Sequence, residues 1–261
     1  METIFRIGVV IYGAICYAIF FMTFLFLIGF VGNFVVPKTI DSGVTGPFAW
    51  SLLVDLGLLA LFGLQHSVMA RPGFKRWLTR FVPQALERST YVLASSVALI
   101  LLMWGWQPLA SPIFSVENSI AWGVVTGIHL LGYGIVLYST FLIDHFDLFG
   151  LRQVVLRAMR RPYTEKRFVT PSVYKLIRHP LYVGWMMAFW VTPAMTVGHF
   201  VFAAVMTGYI LMAIPLEERD LSNALGEPYK SWRQRTPAFL PRFRGGRASQ
   251  PKATSAVGEA R

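Results

Sequence analysis

The sequence predicts an all-α fold, a polytopic integral membrane helix bundle of four spans plus a C-terminal helical hairpin, and three observations carry that prediction. The 261-residue chain is 55% hydrophobic and only 14% charged, with a mean hydropathy of +0.53, where soluble domains hold roughly 25% charged residues. Four apolar runs approach or exceed the about 20 residues a helix needs to cross a hydrocarbon core. The charges are also sorted: of 24 Lys and Arg residues, only Lys38 falls in the segments that alternate onto one side of those runs, as the positive-inside rule requires.

The first run, residues 7–36, is too long for the apolar region of a signal peptide, follows Glu2 and lacks a small-residue cleavage site, so it reads as a retained span. Residues 48–69, 91–106 and 120–143 make the next three, the third extending back toward Ser89. A last apolar stretch, 181–216, is too long for one span and carries Pro193, Gly198 and His199 near its middle. Proline and glycine there predict a turn and two short helices, either re-entrant or spanning. Segments 37–47, 107–119 and the Pro193 turn then face outward, and both termini face the cytosol. Residues 1–242 form one membrane domain, and 243–261, rich in Gly, Ser, Ala, Pro and basic residues, reads as a disordered basic tail.

A net charge of +11 raises nucleic acid as a partner, but the basic residues flank apolar helices, where anionic lipid headgroups account for them. No nucleic acid and no obligate protein partner is expected. The single cysteine, Cys16, lies in the first run and reads as a packing residue.

Polar side chains in a bilayer need a partner or a purpose. Asp55 in the second span is either a buried acid in a relay or a carboxylate bonded to a neighbouring helix. His129 in the fourth reads as a structural hydrogen bond. His66 sits at the cytosolic end of the second span, between Gln65 and Ser67. Asp144, His145 and Asp147 follow the fourth span and are suited to handling protons. No His or Cys pair at ligand spacing completes a metal shell, and no metal is expected. The densest assembly comes last: Arg178-His179-Pro180, Tyr182, Gly184, then Glu217-Glu218, Gly226, Tyr229 and Arg233. Pro180 turns His179 out of helical geometry at the mouth of the next helix, and the hairpin brings Glu217 and Glu218 back to that mouth. Cations and carboxylates there suit a zwitterionic ligand bearing a ribose, or else form an ion-pair belt facing headgroups.

Residues 174–241, with Arg178-His179-Pro180, Tyr182, Gly184, Glu217-Glu218, Leu221, Gly226 and Tyr229 in that order, resemble the C-terminal signature of the isoprenylcysteine carboxyl methyltransferase superfamily. Upstream, Leu64-Gln-His-Ser-Val-Met-Ala-Arg-Pro-Gly-Phe-Lys75, Glu87-Arg-Ser-Thr-Tyr91, Asp147-Leu-Phe-Gly-Leu-Arg-Gln153 and Arg161-Pro-Tyr163 resemble the bacterial methanethiol S-methyltransferases, related to NnrU-like membrane proteins. The resemblance implies S-adenosylmethionine bound at the cytosolic end of the bundle, within about residues 144–242, and methanethiol as the acceptor, converted to dimethyl sulfide. Carried over by position, Arg178, His179, Pro180, Tyr182 and Gly184 shape one wall of the cofactor pocket, Glu217 or Glu218 binds the amino or ribose groups, and Tyr229 and Arg233 close the mouth.

A thiol acceptor calls for a base or a cationic setting, because a free thiol is largely protonated at neutral pH. His66, Asp144 and His145 are the candidate bases, with Arg71 or Arg152 as charge stabiliser. Two alternatives stand beside this reading: an NADPH-dependent membrane reductase of the sterol reductase type, expected to need a longer bundle, and a non-enzymatic NnrU-like accessory protein. A bacterial inner membrane is the expected location.

Overall fold

The computed structural model describes residues 2–164 and 168–241. The expected tail, 243–261, lies outside the described residues. In order, the chain forms α1 (Glu2–Gly32), α2 (Phe48–Ala70), α3 (Pro72–Leu78), α4 (Gln84–Gly105), β1 (Pro112–Ser115), α5 (Ser119–Ile143), α6 (His145–Leu148), α7 (Leu151–Ala158), a 3-10 turn (Ser172–Lys175), α8 (Pro180–Trp190), β2 (Ala194–Thr196), α9 (Val197–Leu225) and α10 (Glu227–Arg235). By length and composition α1, α2, α4, α5 and α9 can each cross a membrane, so this is an integral membrane protein of all-α class. The two arms of the hairpin are unequal. With 11 residues, α8 reaches about 16 Å at 1.5 Å per residue, short of a bilayer core of about 30 Å, while α9 with 29 residues is long enough.

Two boundaries differ from the apolar runs. Helix α1 stops at Gly32 rather than at 36, because Asn33 and Val35 take left-handed φ values of 59° and 67° and the Ile40 N–H returns to the Phe30 carbonyl at 2.9 Å. Helix α4 begins well before Tyr91, directly after Pro83. Its polar first turns are used for packing: Arg88 Nε donates to the Leu148 carbonyl at 2.8 Å, and Tyr12 pairs with Thr90 across to α1 at 3.0 Å.

The face with few charges is tied together by long-range contacts. Strands β1 and β2 pair antiparallel, Phe114 opposite Met195 and Ser115 opposite Ala194, which clamps the hairpin turn to the loop before α5. Asp55, fully buried, accepts the Gln107 N–H at 2.8 Å just beyond α4, as the bonding reading expects. His129 Nδ1 donates to the Val191 carbonyl at 3.1 Å and His199 Nε2 to the Phe189 carbonyl at 2.8 Å, so both histidines brace the hairpin.

Between the faces the core gathers Phe24, Phe30, Leu102, Trp106, Tyr133 and Phe202. Helices α5 and α8 touch almost backbone to backbone. A Cβ on Gly184 would lie 2.7 Å from the Gly132 carbonyl oxygen and 2.8 Å from Val136 N, closer than atoms pack, so only glycine fits there. Gly184, expected in the wall of a cofactor pocket, is the contact that seats α8 against α5.

Candidate active site

The site forms where the chain re-enters the bundle at α8 and leaves it at α9. His179 precedes α8 with a non-helical backbone (φ −125°, ψ 57°) and Pro180 at the first helical position, where a missing N–H costs nothing. The irregular segment 236–239 runs back over this corner. Arg178 N donates to the Pro237 carbonyl at 2.8 Å, His179 N to the Ala238 carbonyl at 3.0 Å, and Arg178 also donates to the Arg233 and Thr236 carbonyls at 2.8 Å each.

Inside that corner Glu218, 3% exposed, is surrounded by cations. His179 Nε2 lies 2.9 Å from its Oε1, Arg178 Nε 2.8 Å from the same oxygen as an ion-pair contact, and Arg233 Nε 2.7 Å from Oε2. A carboxylate this well matched compensates its own desolvation, and little of it is left for a ligand. Glu217 points elsewhere, as residues one apart on a helix must, by about 100°. Its Oε2 accepts the Tyr182 hydroxyl at 2.6 Å, and it is only half-buried. Of the two glutamates, Glu217 is therefore the one open to a ligand. Pro215 lies within α9, one turn before these residues, where it removes a backbone donor and loosens the helix next to the site.

Beside the ionic corner, an open cleft of about 590 Å³ is lined by Arg178, Ser222, Lys230, Arg233 and Gln234. Tyr229 is buried against Phe168 and Trp232, and burial, together with the Glu218 and Glu217 carboxylates, pushes its phenol up to about 12. It stays neutral and packs beneath α10.

A second polar group lies next to this one, between α2, α4 and α9. Tyr91 donates to or accepts from both ring nitrogens of His66, at 3.2 and 3.0 Å, and Ser95 Oγ is 3.1 Å from His66 Nδ1. Ser67 donates to the Tyr209 hydroxyl at 3.2 Å, and Arg71 pairs with Asp220 at 3.0 Å. Tyr209 also meets the His66 ring edge-on, with ring centroids 6.4 Å apart, so this group reaches α9, the helix that carries Glu217. Tyr91, Ser95 and Tyr209 carry no signal of their own in the sequence, because a tyrosine or serine in an apolar helix reads as packing until a partner helix supplies the other half.

The remaining candidates are placed apart from these two groups. His145 is 2% exposed among Tyr17, Phe141 and Phe149, with Nε2 2.8 Å from the Tyr17 hydroxyl and Nδ1 2.8 Å from Thr140 Oγ1. Burial lowers its basicity, and both nitrogens are engaged, so these contacts tie α6 to α1 and α5. Asp144 caps α6, accepting the Asp147 N–H at 3.2 Å. Arg152 pairs with Asp147 at 3.0 Å and donates to Thr164, while Tyr163 donates to the other Asp147 oxygen at 3.1 Å. Among the described residues no group of three or more His, Cys, Asp or Glu is arranged to hold a metal ion.

Comparison with known proteins agrees with this architecture. The chain is 50% identical to a methanethiol S-methyltransferase of Crocosphaera subtropica over 90% of its length and 92% of the relative's. It is 47% identical to methanethiol S-methyltransferase 2 of Bradyrhizobium diazoefficiens over 98% and 99%, and 29% identical to nurim of Sus scrofa over 69% and 70%. No family model matches the chain, and no solved structure matches it. None of these relatives is named a reductase or an accessory protein, so neither alternative reading gains support.

Proposed function

The chain belongs to the methanethiol S-methyltransferase family, and on that premise we propose that it is the enzyme that methylates methanethiol to dimethyl sulfide with S-adenosylmethionine. The observation that carries this reading is identity near one half over nearly the whole chain to proteins of that name. The termini and the site face the cytosol of a bacterial inner membrane, a placement supported by the single basic residue on the opposite face.

The residues of the cleft fit the cofactor. Arg233, with 45% of its side chain exposed, and Lys230 are suited to a carboxylate, and Glu217 to an ammonium or a ribose diol. When bound, S-adenosylmethionine supplies a methyl group on a positively charged sulfur. The buried Arg178–His179–Glu218–Arg233 cluster is internally neutralised, so its work is to hold α8, α9 and the segment 236–239 in fixed relation around the cleft.

Methyl transfer is an in-line displacement, so alignment and exclusion of water are the protein's main contributions. The thiol gives up its S–H proton, its sulfur forms the new carbon–sulfur bond, and the donor's methyl–sulfur bond breaks with the electron pair staying on the donor sulfur. We assign proton acceptance to His66, oriented by Tyr91 and Ser95. Arg71 borders the same space, its charge shared with Asp220. Asp144, His145 and Arg152 then serve to position the segment that links α5 to α8. A small apolar thiol reaches His66 through the bilayer, while the charged cofactor enters from water.

Membranes containing the protein test this. Dimethyl sulfide should accumulate in the headspace when methanethiol and S-adenosylmethionine are both supplied, and not when NADPH replaces the latter. No product, in a preparation that binds S-adenosylmethionine, would redirect the reading to a different acceptor.

A further inference from the structure

His66 stands between a polar wall and an aromatic one. On the polar side α4 offers the Tyr91 hydroxyl, 3.0 Å from Nε2, and Ser95 Oγ, 3.1 Å from Nδ1. On the other side the Phe62 ring lies against the imidazole, with centroids 5.4 Å apart and planes inclined by 29°, and the Tyr209 ring meets it edge-on at 6.4 Å. Phe62 and Tyr209 also meet each other, at 6.4 Å, so the two rings close that side together. Both are held in place. Phe62 lies one turn before His66 on the same face of α2 and is 7% exposed. Tyr209 rests over Gly63, where an added Cβ would come 3.3 Å from its ring, and its hydroxyl accepts from Ser67 at 3.2 Å.

The two walls orient a thiol. On the polar side Gln65 Oε1 is buried with no hydrogen-bond partner among the described residues, while Nε2 of the same amide is 3.4 Å from Ser95 Oγ. A buried acceptor without a donor is costly, and the S–H group is the one part of an alkyl thiol that can donate. Its sulfur therefore belongs on the polar side and its alkyl group on the aromatic side. The direction of attack agrees. The charged methyl donor approaches from water, and in-line displacement sets it on that side of the acceptor sulfur. The acceptor's own alkyl group then points toward the bilayer interior, where Phe62 stands about 6 Å deeper along α2 than His66.

We propose that Phe62, backed by Tyr209, determines which thiol is methylated: the aromatic wall admits an alkyl group of methyl size beside His66 and turns away longer chains. This inference rests on the methyltransferase reading and on His66 as the proton acceptor. Neither ring carries a charge or moves a proton in it, so the two act on the choice of acceptor and leave the displacement itself to the groups already described. One surplus methylene against a closed apolar wall is worth about 10- to 200-fold in discrimination.

Purified full-length protein given S-adenosylmethionine and equal concentrations of methanethiol and ethanethiol tests it, with the headspace ratio of ethyl methyl sulfide to dimethyl sulfide as the readout. Because both thiols compete for the same molecules, that ratio is independent of the fraction of protein folded. The parent should favour methanethiol by about tenfold or more. Phe62→Ala should raise the ratio by about tenfold or more, and Phe62→Leu, which keeps more of the packing, should raise it by a smaller factor. Phe202→Leu thins a core ring packed against Trp106 and Phe189 toward the opposite membrane face, and should leave the ratio within about twofold. An unchanged ratio in both Phe62 variants, an equal rise in Phe202→Leu, or a parent that uses ethanethiol as readily as methanethiol would overturn the proposal and leave the methyltransferase reading intact. So would loss of both products in both Phe62 variants while they still bind the methyl donor, which would place Phe62 in the transfer itself. A parent that forms neither sulfide would instead overturn the underlying reading, and the proposal with it.

Discussion

His179 Nε2 and Glu218 Oε1, 39 positions apart in the chain, sit 2.9 Å apart with both side chains buried. That contact closes the hairpin at the basic face, because Glu218 also receives Arg178 and Arg233 and Arg178 in turn holds the carbonyls of Arg233 and Thr236. Removing the carboxylate leaves three cationic or polar groups facing one another out of water. Glu218→Ala should destabilise the protein by about 3–5 kcal/mol, read as a lower thermal midpoint in detergent. Glu217→Gln keeps the fold and should leave that midpoint nearly unchanged while raising KM for the methyl donor, since Glu217 lies outside the buried cluster.

Gly184→Ala forces a methyl group into the α5–α8 contact, against backbone atoms at 2.7 and 2.8 Å that have no room to yield. A loss of about 1–3 kcal/mol is expected for overpacking of this kind, and α8 carries His179 and Tyr182 with it when it moves. Thermal unfolding of the variant should shift down, and residual activity should fall further than the fraction of folded protein accounts for.

The sequence made the membrane class, the basic face and the hairpin turn near Pro193 readable, because apolar run length, charge placement and proline act locally. What it concealed depended on partners distant in the chain. The pairing of Phe114 with Met195 joins two segments separated by the four helices α5 to α8, and neither segment alternates long enough to announce a strand. His145 reads as a candidate base beside Asp144 and Asp147, until Tyr17 from α1 and Thr140 from α5 occupy its two nitrogens. The 100° separation of Glu217 and Glu218 was plain from helical geometry, but which one turns inward was decided by Arg178, His179 and Arg233. Gly184 looked like part of a binding signature, and its reason is the approach of α5.

Burial holds His145 neutral in the folded protein, whereas in the unfolded chain it titrates near its usual value of about 6.5. The unfolded state therefore binds more protons as pH falls below about 6.5, and stability decreases toward acid. Thermal midpoints measured between pH 7.5 and pH 5.5 should drop, and His145→Gln should lower the midpoint at pH 7.5 while making it less sensitive to acid than the parent. An identical pH slope in the two proteins would remove His145 from the explanation.

His66 is placed to receive the thiol proton, with Tyr91 and Ser95 fixing its ring. His66→Ala should lower kcat by roughly 100-fold or more, the range expected for loss of a general base, with little change in binding of the methyl donor. Tyr91→Phe, which removes only the orienting hydroxyl, should lower kcat by a smaller factor and shift the pH profile. If His66→Ala retains the parent kcat and pH profile, the proton is accepted elsewhere.

Direct transfer of a methyl group to methanethiol is tested by giving purified protein methanethiol together with S-adenosylmethionine labelled in its methyl group. Headspace mass spectrometry should find dimethyl sulfide carrying one labelled methyl. Absence of that labelled product, from protein shown to bind the methyl donor, would contradict it.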